Sequence, residues 1–379
     1  MSESTIRVLV VDDTAIYRKV VSNVLVDAPG IEVVGTAPNG KIALQKIERL
    51  KPDILTLDLE MPEMDGLEVL RQLKAQNSPV GAIMLSAFTA DGADTTVRAL
   101  ELGAFDFVLK PTSGGIEESN AILKRELCPK INAFAGAGCT RGILSGKPSS
   151  TTTPDRATAV SASDDNTKLP DIVQRMTGIA IGAAGKPEVV VLGISTGGPQ
   201  SLTQMLPKLP ADLSIPILIV QHMPPMFTKS LADDLNKKCA LSVSEGHNGQ
   251  LVQPGHIIIA PGGKQMKVRK SQDNIIISIT DDPPENSCKP AVDYLFRSVA
   301  HTFGGRALGV IMTGMGNDGT LGCRLLKRNG APILTQDEAT CVVYGMPKQL
   351  VDEGIADVIV PLDRIADEIT RLVGGGVLV

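Results

Sequence analysis

The sequence predicts two α/β units joined by a connector, and three observations carry that reading. Short aliphatic runs alternate with amphipathic stretches in two separate regions; a small, polar segment without hydrophobic period divides them; and 379 residues exceed the usual size of a single core. Aromatic residues make up 3% of the chain and Trp is absent, so both cores have to be aliphatic.

In the first unit, residues 8–11 form an apolar run short enough for a strand buried on both faces. Residues 16–25 follow with a helical pattern. Further strands are expected at 31–37, 54–57, 81–85 and 107–109, with helices between them at 43–50, 67–74 and 94–102. Five such repeats imply a doubly wound, five-stranded parallel sheet of flavodoxin-like type over residues 1–124.

Residues 135–165 are rich in Gly, Ser, Thr and Ala and bury too little apolar surface to offset the entropy of ordering; the connector is expected at 125–186. The second unit, 187–379, carries apolar runs at 189–194, 215–220, 256–260, 307–312, 332–334 and 358–360, with helix-like stretches at 230–238 and 321–328 between them. A mostly parallel α/β sheet follows, and the alternating segment 266–281 reads as a β-hairpin at one edge.

Composition excludes several classes of function. With 37 basic and 42 acidic residues the net charge is −5, which gives no attraction to a phosphate backbone and argues against nucleic acid. The six cysteines contain no Cys-x-x-Cys pair, which argues against both a disulfide framework and a zinc site and points to a reducing, cytoplasmic location. The N-terminal apolar run is too short for a signal segment, and no stretch is long enough to insert in a membrane.

In a parallel sheet, ligands gather at the carboxyl ends of strands, and three of the predicted strands end in chemically useful residues. Asp12 and Asp13 follow the first strand, Asp58 the third and Lys110 the fifth. Clustered carboxylates suit Mg²⁺, a hard ion that keeps exchangeable waters. Asp58 is then placed to attack a phosphoryl group whose charge is neutralised by the metal and by Lys110. This pattern, with Leu57-Asp58-Leu59-Glu60-Met61-Pro62, Ser86 and Lys110-Pro111, resembles the receiver domain of bacterial response regulators. The resemblance implies phosphorylation at Asp58, Mg²⁺ held by Asp12, Asp13, Asp58 and the Glu60 carbonyl, and a phosphate-sensing switch of Ser86, Phe107 and Lys110.

In the second unit, Gly193-Ile194-Ser195-Thr196-Gly197 places a serine in a Gly-x-Ser-x-Gly frame directly after a buried-looking strand. Glycines permit the sharp turn that thrusts the hydroxyl outward. Of the four histidines, His222 lies just past the run at 215–220, on the edge where Ser195 belongs; His256 opens a strand and so faces the opposite edge, and His247 and His301 read as surface or packing residues. A carboxylate to orient the imidazole is supplied by Asp318, within Gly314-Met315-Gly316-Asn317-Asp318-Gly319.

The Gly-x-Ser-Thr-Gly-Gly, Gln-His-Met and Gly-Met-Gly-x-Asp-Gly segments together resemble the catalytic domain of chemotaxis protein-glutamate methylesterases (the CheB family). That resemblance implies Ser195 as nucleophile, His222 as base and Asp318 as its partner, with Thr196 and the Met315 amide at the oxyanion and substrate site and no cofactor for the esterase. It further implies methylated glutamates of methyl-accepting chemotaxis receptors as substrate, deamidation of receptor glutamines, a sensor histidine kinase of the chemotaxis type as phosphodonor, and a receiver that covers the serine cleft at rest.

Overall fold

A computed structural model describes residues 5–111, 115–136 and 185–374. The first unit runs β1 (Ile6–Val11), α1 (Ala15–Val26), β2 (Ile31–Ala37), α2 (Gly40–Leu50), β3 (Ile54–Asp58), α3 (Gly66–Ala75), β4 (Gly81–Ser86), α4 (Ala90–Leu102), β5 (Asp106–Leu109) and α5 (Ile116–Gly136). Its five strands are parallel in the order β2-β1-β3-β4-β5. Every residue of β3 and β4 is buried, as a strand covered by helices on both faces requires. Since β1 and β3 are adjacent at the sheet centre, their ends bring Asp12, Asp13 and Asp58 together.

Helix α5 corrects the expected boundary: residues 125–136, assigned above to the connector, are helical. Leu123, Leu127, Ile131 and Phe134 lie on one face at helical spacing, fully or almost fully buried against the first sheet. The remainder of the expected connector, 137–184, lies outside the described residues.

The second unit comprises β6 (Val189–Ile194), α6 (Gly198–Met205), β7 (Ile217–Gln221), α7 (Phe227–Asn236), β8 (Ser242–Glu245), β9 (His256–Ile259), β10 (Gln265–Ser271), β11 (Asn274–Thr280), α8 (Val292–Phe303), β12 (Ala307–Ile311), α9 (Thr320–Arg328), β13 (Ile333–Gln336), α10 (Met346–Asp352), β14 (Val358–Val360) and α11 (Ile365–Val373). Seven strands form one parallel sheet in the order β14-β13-β12-β6-β7-β9-β8. The hairpin forms where expected, but β10 and β11 pair with each other as a separate antiparallel sheet beside α8, so the large sheet is parallel throughout. The edge strand β8 has no counterpart among the predicted runs: its four residues Ser-Val-Ser-Glu bury only Val243, too little for an apolar run to show.

The two units are packed together. Helix α4 lies against α6 and α7, and one apolar cluster continues from Leu100 and Phe107 into Leu202 and Phe227. Among the described residues, no helix is long and apolar enough to cross a membrane.

Candidate functional site

The carboxyl ends of the first sheet hold the acidic pocket. Carboxylate oxygens of Asp12, Asp13 and Asp58 lie within 4.8 Å of one another. Lys110 spans the pocket at 2.8 Å from Asp12 and 2.7 Å from Asp58. Burial raises the Asp58 pKa to about 6, against the hydrogen bond and charge of Lys110. Burial acts to lower the Lys110 pKa, but its hydrogen bonds to Asp12 and Asp58 outweigh it and the net shift is upward. A cavity of about 220 Å³ opens here, lined by Asp13, Asp58, Glu60 and Lys110 among others. Three hard oxygen ligands beside solvent-sized space fit Mg²⁺, which prefers a few carboxylates and several waters.

Ser86 and Phe107 lie on the adjacent strands β4 and β5 and face different partners. The Ser86 hydroxyl accepts a 2.8 Å hydrogen bond from Thr96 of α4. Phe107 stacks on Phe227 of the second unit, ring centroids 4.9 Å apart and planes 11° from parallel. The sequence-predicted switch residues therefore touch the elements that meet the second unit.

Ser195 follows β6 directly. Gly197, at φ +79°, turns the chain into α6, and the Ser195 carbonyl accepts from the Gly198 amide at 2.8 Å and from Gln221 Nε2 at 3.0 Å. A Cβ at Gly198 would meet Gln221 Oε1 at 1.8 Å, so only glycine lets the turn close on that side chain. Strands β6 and β7 are paired with Ile194 opposite Gln221, which makes Ser195 and His222 neighbours across strands about 4.8 Å apart. The His222 amide donates to the Ile194 carbonyl at 3.2 Å.

Asp318 comes from the loop after β12. Its Oδ2 lies 2.8 Å from His222 Nε2 and accepts from the Val292 amide at 2.7 Å; its Oδ1 accepts from the Asp293 amide and from Asn286 Nδ2, both at 3.0 Å. Two of these donors are the first amides of α8, so a helix N-terminus holds the carboxylate ionised. Burial works to raise the Asp318 pKa, yet the His222 hydrogen bond and these amides leave it below the usual carboxylate value. For His222, burial works downward, but hydrogen bonds to Asp318 and Cys288 outweigh it and raise the pKa to about 9. A carboxylate accepts only, so in the neutral ring Nε2 carries the proton and Nδ1 the lone pair. That is the reverse of the usual triad, in which Nε2 is the basic nitrogen.

Ser195, His222, Thr196 and Met315 line one cavity of about 510 Å³. The structure joins His222 to Asp318 directly and brings Ser195 to the same cleft, but the Ser195 hydroxyl donates to neither ring nitrogen in this arrangement; Nδ1 faces the Cys288 sulfur at 3.7 Å. His256 starts β9 and contacts Gln253, His247 is exposed, and His301 lies on α8; none lines the cleft.

The other wall of the cavity belongs to the first unit. Asp106, at the start of β5, accepts 2.7 Å from the Thr196 hydroxyl and 2.8 Å from Lys130 of α5 on the same oxygen. Around it, Asp94 pairs with Ser230, and Glu101 with Lys238. Sequence reasoning missed Asp106, Lys130 and Cys288. The first two enter the site only through docking of the units, for which no motif exists in either; Cys288 lies in a loop, with no strand run to announce it.

Comparison with known proteins matches this division. A model of the CheB methylesterase family matches residues 190–369, and a model of the response regulator receiver domain matches residues 8–117. A protein-glutamate methylesterase/protein-glutamine glutaminase of Desulfotalea psychrophila is 51% identical over 370 residues, covering 97% of this chain and 98% of that protein. One from Trichodesmium erythraeum is 41% identical over 373 residues, covering 97% and 99%. The crystal structure of the Thermotoga maritima CheB methylesterase catalytic domain is 39% identical, covers 50% of this chain and 100% of that one, and gives a TM-score of 0.48.

Proposed function

The chain belongs to the CheB methylesterase family, and we propose that it is a receiver-controlled protein-glutamate methylesterase and protein-glutamine glutaminase that resets chemotaxis receptors. It removes methyl esters from receptor glutamates and converts receptor glutamines to glutamate. The substrates are cytoplasmic segments of methyl-accepting receptors, the phosphodonor is a chemotaxis-type histidine kinase, and the enzyme works in the cytoplasm.

In this reading Ser195 Oγ attacks the γ-carbonyl carbon while His222 Nδ1 takes the hydroxyl proton. Asp318 stabilises the imidazolium through Nε2, and the Met315 amide and the turn at Thr196 face the developing oxyanion. The protonated His222 then returns its proton to the departing methoxide, releasing methanol, or to the departing amine, releasing ammonia. A water activated by the same nitrogen cleaves the acyl-enzyme to the carboxylate. The observation that supports this most strongly is the His222–Asp318 pair beside Ser195 in a single cleft.

Asp12, Asp13, Asp58 and the Glu60 carbonyl would hold Mg²⁺, which would supply charge neutralisation for the incoming phosphoryl group. Asp58 is the nucleophile that takes the phosphoryl group, and Lys110 leaves its contacts with Asp12 and Asp58 to pair with it. The receiver closes the serine cleft at rest: Asp106 grips Thr196, the residue after the nucleophile, and β5 walls off substrate. Phosphorylation draws Ser86 and Phe107 toward the phosphate. It thereby loosens both the Thr96 bond to α4 and the stack on Phe227, which favours the uncovered state.

Methanol release from methylated receptor membranes by the intact chain, with Mg²⁺ and with or without acetyl phosphate, tests the reading. Stimulation of about 10-fold or more is expected, equivalent to about 1.4 kcal/mol of differential affinity for the two arrangements. Asp58→Asn should remove the response. Equal wild-type rates with and without the phosphodonor would eliminate the switch.

A further inference from the structure

Cys288 has no part in the acyl chemistry, yet its sulfur lies 3.7 Å from His222 Nδ1, the nitrogen that must receive the serine proton. A tetrahedral Zn²⁺ bound at about 2.3 Å from a thiolate and about 2.1 Å from an imidazole nitrogen sets those two atoms roughly 3.6 Å apart. The observed separation, that of a sulfur–nitrogen hydrogen bond in the ion-free site, also matches two ligands sharing one ion. The far side of the ring matches as well, because metal-bound histidines donate their second N–H to a carboxylate, which fixes tautomer and ring plane. Here Nε2 faces Asp318, itself fixed by the Val292 and Asp293 amides and by Asn286. The cysteine sulfur, one ring nitrogen and an Asp318 oxygen lie within 4.8 Å of one another, and the adjoining cavity of about 510 Å³ has room for the waters that complete a coordination shell.

We propose that His222 Nδ1 and Cys288 Sγ form a binding site for a thiophilic divalent ion of the zinc class, whose occupation switches the esterase off. On binding, the thiol S–H and any proton on Nδ1 pass to solvent, and both lone pairs go to the ion; no electron is transferred. The same lone pair that would accept the Ser195 proton is then committed to the metal. Hard ions such as Mg²⁺ and Ca²⁺ prefer oxygen ligands and leave the site alone, so the receiver can be charged with Mg²⁺ without stopping the hydrolase. Ion binding stands on this geometry alone, while inhibition rests on the role of His222 as base.

The test uses the full chain with saturating Mg²⁺, which occupies the acidic pocket. Methanol release is titrated with Zn²⁺ and then with a chelator, and Co²⁺ is added in parallel to read the thiolate-to-cobalt charge-transfer absorption. Wild type is expected to lose activity with Zn²⁺, to regain it on chelation and to show the band. Cys288→Ala, judged against its own metal-free rate, should lose the band and need at least about 10- to 100-fold more Zn²⁺ for the same inhibition. Cys288→His should recover Zn²⁺ sensitivity without the thiolate band. Equal sensitivity and an equal band in wild type and Cys288→Ala, or no band in wild type, would overturn the site. A Cys288-dependent band with undiminished hydrolysis would overturn the inhibition and, with it, the base role of His222.

Discussion

Replacing Ser195 with alanine should lower methanol release from methylated receptors by about 10⁴-fold or more, and ammonia release from glutamine-bearing receptors equally. Without the hydroxyl no acyl-enzyme forms, and the remaining route is direct attack by water. His222 and the oxyanion donors still assist that route, so the rate falls to a residue above the uncatalysed one rather than to zero. The change removes a single oxygen that donates to neither ring nitrogen in the covered state. Folding and phosphorylation at Asp58 should therefore be retained, and unchanged phosphate incorporation is the control. A Ser195→Ala protein that still released methanol at near wild-type rate would place the nucleophile elsewhere.

Asp318→Asn should cost about 10³- to 10⁴-fold in kcat/KM, because an amide at this position no longer fixes the tautomer or offsets the imidazolium charge. It also predicts a change in pH dependence with a definite sign. The wild-type His222 pKa is raised to about 9, so the neutral imidazole that acts as base grows about tenfold per pH unit below that value and then levels. The rate should follow. Removing the Asp318 charge takes away one of the groups that raise this pKa, so the break in the profile should move down toward the ordinary histidine value. A profile that falls with rising pH between 7 and 9 would mean that the protonated ring is the active form. Asp318 also accepts from the Val292 and Asp293 amides; Asn keeps one oxygen for these, and thermal unfolding of the variant reports whether that suffices.

Much of the architecture was legible in the residue pattern, for a definite reason. Strands of a parallel sheet are buried on both faces, so 81–85 and 189–194 stand out as uninterrupted apolar runs, and residues just beyond them fall on the ligand-binding edge. Asp12, Asp58, Ser195 and His222 are all of this kind. Where burial is one-sided or brief, the signal fades, as at β8. Helix α5 is absent from the sequence expectation, which ends the first unit at 124; Pro129, a residue that normally ends a helix, lies within it, and the buried face of Leu127, Ile131 and Phe134 overrides that preference. The family resemblance implies that the receiver covers the serine cleft; what no single-unit motif could convey is which side chains meet there. Asp106 and Lys130 carry no signature of contact with Thr196, since that contact exists only once two separately encoded sheets dock.

The most direct measurement is covalent labelling of the intact chain with a serine-directed fluorophosphonate, with and without acetyl phosphate and Mg²⁺, and mapping of the adduct by mass spectrometry. A single adduct on Ser195 is expected, forming several-fold faster when the phosphodonor is present and no faster in Asp58→Asn. Labelling at another serine, or Ser195 labelling at one rate regardless of phosphodonor, would contradict a serine nucleophile held under a phosphate-released receiver.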